Sequence, residues 1–171
     1  MLLLVWIAMS SYRLSHNTNQ LLLSVGYILT LFACVVLHEF GHALTARYFG
    51  QRSMITLTAF GGLTTRKGPH LNAVKEFIIV LNGPLAGILL YGVCAYLLTT
   101  PLGKEGSIAY LLTVGSWINL FWTILNLVPV QPLDGGQLVL ILFRGLFGHR
   151  GVRIAFFFSL LTSVAIGIFF F

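Results

Sequence analysis

Residues 21–37 carry no charged side chain and no proline, and the run ends in His38-Glu39-Phe40-Gly41-His42. Inside a bilayer every backbone polar group must be satisfied by the chain itself, so a stretch of this kind is a helix. From 21 to 49 only Gly26 and Gly41 weaken a helix, and at the standard rise the segment is about 43 Å long, enough to cross and overhang the hydrocarbon. Helical spacing then stacks His38 over His42 one turn apart. Two imidazoles so placed can grip one divalent metal, usually zinc. Glu39 follows the first of them and can reach the water on that metal as a general base. The ordinary alternative is a polar helix end at a membrane interface. It is disfavoured because two histidines and a glutamate in an apolar run are expensive to bury without a purpose.

The rest of the chain belongs to the same physical class. Of its 171 residues 57% are hydrophobic and 8% charged, with a mean hydropathy of +0.93, whereas soluble domains carry around a quarter charged residues. The expectation is an all-α polytopic membrane protein embedded in a lipid bilayer. The net charge of +6 does not point to nucleic acid, because lysines and arginines sit at the ends of apolar segments and form no basic face with interleaved aromatics. Cys34 and Cys94 lie within apolar segments and read as small buried hydrophobes, although Cys34, one turn before His38, is placed to approach the metal. No disulfide framework is implied.

Taken in order, residues 1–9 are apolar but too short to span, either the stub of a first helix or part of a short hairpin with the next one, and 10–20 form a polar turn. No basic region precedes the stub and no small-residue cleavage pattern follows it, which disfavours a signal peptide. Residues 50–72 are β-branched and partly alternating, with Gly61-Gly62 in their midst: a short re-entrant β-hairpin whose free edge either holds an extended peptide or is a plain interfacial loop. Residues 73–98 form a further spanning helix interrupted by Asn82-Gly83-Pro84. Pro84 is expected to kink it, and Asn82 either recaptures a freed backbone group or touches substrate. Residues 107–143 are too long for one clean span and too short for two. They are expected to form one broken helix, helical at 108–127, unwound through a Pro/Gly segment, and helical again at 137–143. Asp134 falls in that unwound part, and a buried acid without a partner is costly unless a metal takes it. A basic loop at 144–153 and a last apolar segment at 154–171 complete about five to six transmembrane helices. Counting the broken helix as one crossing puts eight of the ten lysines and arginines on one side, leaving Arg13 and Lys104 on the other. That excess makes the His38/His42 end cytoplasmic.

HEFGH at 38–42, FGG at 60–62, NGP at 82–84 and NLVPVQPLDGG at 126–136, in that order through hydrophobic segments, resemble the site-2 protease family of intramembrane zinc metalloproteases, peptidase family M50. The compact layout is most similar to the bacterial sporulation-type branch, which processes a membrane-tethered sigma-factor precursor. The resemblance implies that His38, His42 and Asp134 bind one zinc per chain, that Glu39 activates the water and that Asn126 helps to stabilise the oxyanion. Gly61, Gly62, Asn82 and Pro84 are the candidate substrate-binding residues. Residues 1–171 are expected to be one transmembrane metalloprotease domain with no PDZ or CBS domain among them. The expected activity is cleavage of a transmembrane or membrane-proximal bond of a single-pass or membrane-tethered protein, in a bacterial inner membrane, with room for a regulatory membrane partner. The alternative is a non-catalytic, zinc-stabilised membrane scaffold or chaperone. Retention of Glu39 argues against it, since a structural site needs ligands but no base.

Overall fold

Apolar runs become helices where glycine alone interrupts them, and Gly83-Pro84 does not break one. A computed structural model describes residues 18–58 and 61–170. The expected helix stub at 1–9 and Phe60 lie outside the described residues. Helix α1 spans Thr18–Tyr48, strands β1 Arg52–Thr58 and β2 Gly61–Lys67 follow, and α2 spans Ala73–Thr99. A 3-10 turn, Pro101–Gly103, leads into α3, Gly106–Leu127; α4 is Asp134–Phe147 and α5 His149–Phe170. Four of these helices, α1, α2, α3 and α5, are long and apolar enough to cross a membrane. The all-α polytopic fold with one small antiparallel hairpin is therefore as expected.

Large apolar side chains such as Leu29, Leu89, Trp117, Phe121 and Phe157 point outward, while most buried positions are small, among them Cys34, Ala43, Ala46, Gly83, Gly87 and Gly115, with Ile79 and Pro84 the largest fully buried side chains. This is how membrane helices pack, since lipid is as apolar as leucine and only close backbone approach gains dispersion energy. Gly41 lies against the Asn82 carbonyl, where a Cβ has no room. Along the α1–α3 interface one register repeats each turn. Gly26 faces Leu111, Thr30 faces Gly115, and Cys34 Sγ accepts from Asn119 Nδ2 at 3.1 Å across a sequence separation of 85. That constant separation makes α1 and α3 parallel neighbours.

The hairpin pairs Arg52 with Lys67 through Thr58 with Gly61 and folds back on the end of α1, where Ser53 Oγ donates to Ala43 O at 3.1 Å. Asn72 caps α2 by accepting from Lys75 N at 2.9 Å. Helix α2 runs through Pro84 without a break. Asn82 Nδ2 donates to Ile78 O at 2.9 Å, one turn back along α2, and not to the Val80 carbonyl that Pro84 leaves free.

Two boundaries differ from the sequence expectation. Asp134 is not in unwound backbone but in the first turn of α4, where a carboxylate complements the helix dipole. The adjoining Gly135 and Gly136 are helical; they lack side chains because the backbone of Leu127 and Val130 occupies that space. The basic stretch 144–153 is not a loop either. Helix α4 runs to Phe147, turns at Gly148 with φ 58, and α5 starts at once, its Gly151 against the Phe143 carbonyl. Near the start of α2, Ala73, Val74 and Phe77 share a groove with Ile141, Leu142 and Leu146 of α4. Arg144 therefore sits at the same end of the bundle as Lys75.

The crossing at Gly41 makes a direct prediction. Gly41→Ala should destabilise the detergent-solubilised protein by roughly 1–3 kcal/mol through overpacking, read as a fall in thermal midpoint. Gly92→Ala, with open space at its Cβ position, should leave the midpoint unchanged or raise it.

Candidate metal centre

Three elements bring the ionisable groups together: α1 supplies His38, Glu39 and His42, α4 supplies Asp134, and α2 forms the wall behind them. His38 Nε2 lies 3.0 Å from Asp134 Oδ2, His42 Nε2 lies 3.3 Å from the same oxygen, and the two Nε2 atoms are 3.3 Å apart. His38, Glu39, His42 and Asp134 are 2%, 6%, 7% and 7% exposed, so none is held by solvent alone. His42 Nδ1 donates to Ile79 O at 2.9 Å, which fixes the proton there and leaves a lone pair on Nε2 facing a carboxylate oxygen. Lone pair against lone pair is repulsive unless a proton or a metal cation lies between them.

The donor set fits zinc. Bonds of about 2.0–2.2 Å to a tetrahedral ion put its ligand atoms about 3.3–3.5 Å apart, close to the three separations here. Among the described residues this is the one His/Cys/Asp/Glu group of three or more that could hold a metal ion. Three protein donors in place of four leave a coordination position for something else. Cys34 is not in the group; its sulfur accepts from Asn119.

Glu39 is held on both sides by β2. Thr64 Oγ1 donates to Oε2 at 2.6 Å, and a Cβ at Gly62 would fall on Glu39 Cγ, Cδ and Oε1. Gly62 thus makes room for the carboxylate. Gly61, at φ 142, has its Cβ position 3.0 Å from the Trp122 ring, a backbone conformation and a space that both favour glycine. Asn126 Nδ2 donates to Trp122 O at 2.9 Å, leaving its other N–H for the cavity. The cavity, about 380 Å³, is walled by His38, Glu39, His42 and Asp134 with Gly61, Gly62, Thr64, Arg66, Trp122 and Asn126. The loop into Asp134 is anchored from α5, where Ser159 Oγ accepts from Gln131 N at 2.8 Å.

Asn82 and Pro84 do not line this cavity. Pro84 is fully buried, and the Asn82 carbonyl packs on Gly41. The residue between them, which the sequence does not single out, is the one in contact with the site: a Cβ at Gly83 would land on the His42 imidazole. Thr64 was also missed, although it follows Gly62 by two positions and so faces the same side of β2.

Known proteins of similar sequence and fold include zinc metalloproteases. The profile of peptidase family M50 matches residues 26–104 and 100–169. Rip3 of Mycobacterium tuberculosis is 34% identical over 122 residues, 69% of this chain and 31% of Rip3. Stage IV sporulation protein FB of Bacillus subtilis is 36% identical over 121 residues, 68% of this chain and 40% of that protein. The chain thus matches less than half the length of these relatives. Among solved structures, a site-2 protease from Methanocaldococcus jannaschii superposes with a TM-score of 0.64 at 24% identity, over 90% of this chain and 69% of that one, which shows a shared fold.

Purified protein reconstituted in zinc-replete buffer should hold about one zinc per chain, and Asp134→Ala should lower occupancy strongly. Gly62→Val should leave zinc bound, because Gly62 touches Glu39 and not the donors. Elemental analysis decides both. A metal-free parent protein would overturn the assignment.

Proposed function

The chain belongs to peptidase family M50, and on that footing we propose that it is a zinc-dependent endopeptidase cutting a peptide bond in or beside the transmembrane segment of a membrane-tethered protein. The observation that carries this reading is Glu39: an oriented carboxylate in the wall of the cavity that holds a three-donor metal group. A site that only stabilises the fold needs no such group, and a fourth protein ligand normally closes it.

His38, His42 and Asp134 would hold the ion, which when bound would supply a Lewis acid and lower the pKa of water at the site to about 7. Glu39 would take a proton from the attacking water at its carboxylate and pass it to the amine nitrogen of the departing peptide. Thr64 occupies Oε2, which leaves Oε1 to carry the proton. Asn126, its amide braced on Trp122 O, aims its second N–H at the charge developing on the substrate carbonyl oxygen. Ile79, Val80 and Leu133 line the same wall and limit water around the reacting atoms.

A transmembrane helix must open into an extended form before a protease can attack its backbone. Two features support capture by strand addition: among the described residues the sheet has only β1 and β2, and Gly61, Gly62 and Leu63 reach the cavity wall. Asn82 and Pro84 serve substrate indirectly, through the α1–α2 crossing that seats His42. Residues 1–171 act as one protease domain in a bacterial cell membrane, the positive end of the bundle facing the cytoplasm, with any regulatory partner also in the membrane.

Glu39→Gln keeps size and hydrogen bonding but cannot accept a proton. The variant should bind zinc and capture single-pass substrates yet cleave them at least about a hundredfold more slowly, in an assay run with and without a zinc chelator. Full cleavage by Glu39→Gln would defeat the proposal. For orientation, cysteine placed at Lys104 should be labelled from outside the cell and cysteine at Arg66 should not; the reverse pattern would invert the topology.

A further inference from the structure

The two histidines of the metal group are not equally supported. A ligating imidazole presents one nitrogen to the metal and almost always donates its other N–H to a neighbour, which fixes the ring. His42 does so, its Nδ1 donating to Ile79 O at 2.9 Å. His38 Nδ1 is buried without a hydrogen-bond partner among the described residues, and so is Thr123 Oγ1 of α3. Both residues are 2% exposed.

Two independent registers put these orphans at one level of the bundle. Along the parallel α1–α3 pair, Gly26 meets Leu111, Thr30 meets Gly115 and Cys34 meets Asn119; one turn further, the same spacing pairs His38 with Thr123. Along the antiparallel α1–α2 pair, His42 packs on Gly83, so one turn back His38 lies level with Gly87. A Cβ at Gly87 would land on Thr123 Oγ1. The hydroxyl is therefore wedged between α2 and α3 at the height of His38, in a nearly fully buried layer. A donor and an acceptor stranded together in an apolar interior are each costly unless they satisfy one another.

We propose that the Thr123 hydroxyl is the acceptor that orients His38, accepting the Nδ1–H hydrogen bond through one buried water and so fixing the tautomer that offers Nε2 to the metal. Thr123 is a positioning residue and touches neither substrate nor ion. The inference rests on the assignment of His38 as a zinc ligand, and it adds the third helix to the metal centre.

The test reads zinc affinity, not cleavage. Zinc dissociation constants of the detergent-solubilised full chain are measured by competition with a chromogenic chelator for the parent and for Thr123→Val, Thr123→Ala and Thr123→Ser, with circular dichroism of the metal-free proteins alongside. Thr123→Val preserves shape and removes the acceptor, and Thr123→Ala cannot overpack. Both should weaken zinc binding 10–100-fold, while Thr123→Ser should stay within about threefold of the parent and the metal-free helical signal should be unchanged in all. Parent-like affinity in the valine and alanine variants would overturn the proposal. Equal weakening by serine would also overturn it, since packing and not the hydroxyl would then be responsible. A parent protein that takes up no zinc would remove the ligand assignment itself, an outcome distinguishable from either.

Discussion

Two imidazoles and a carboxylate buried between apolar helices are the constraint to which the rest of the structure answers. Left alone, each would cost several kcal/mol in a membrane interior, and removing one member of a buried set strands the others. The groups must converge, and convergence needs helices closer than large side chains allow. Gly41 on α1 meets the Asn82 carbonyl, Gly83 on α2 lies under the His42 ring, and Gly135 and Gly136 on α4 meet the backbone of the preceding loop. Small residues gather around the metal centre because there backbones and rings must share space.

The hairpin belongs to the same economy of space. A two-stranded sheet is marginal on its own, and this one is held by α1, through Ser53 to the Ala43 carbonyl and Thr64 to Glu39. In return it shields the carboxylate and leaves one of its oxygens free of hydrogen bonds to Thr64. Gly62 does two jobs: it clears the volume that Glu39 fills, and it keeps the cavity wall low where a substrate backbone would pass. The glycines of the site are thus defined by what they lie against, and flexibility plays little part.

Much of this was legible in the residues. The spacing of His38 and His42 is a property of one helix, so local periodicity alone places both on one face. The hairpin at 52–67 announces itself by β-branched residues around a glycine pair, and Asp134 stands out as an acid far from any charged flank. Boundaries were less legible. The Gly135-Gly136 pair and the basic stretch 144–153 look like broken backbone, yet both are largely helical: Gly135, Gly136 and Gly151 answer close backbone contacts, and only Gly148 takes a positive φ.

Sequence by itself determined the membrane class, the helices at 21–49 and 73–98 and the two-histidine motif with its base, since each follows from composition or from periodicity within one element; Asp134 as the third donor came from the motif resemblance, and the structure made 106–127 a span of its own where the sequence suggested part of a broken one. Only the tertiary structure decided which residues across helices serve the site: Gly83 and not its neighbours Asn82 and Pro84, Thr64 behind Glu39, and Thr123 level with His38. The physical reason is that inter-helix register is set by the summed fit of many small contacts, in which no single residue carries a readable mark. Partners a hundred positions apart in the chain become neighbours only once that fit is made.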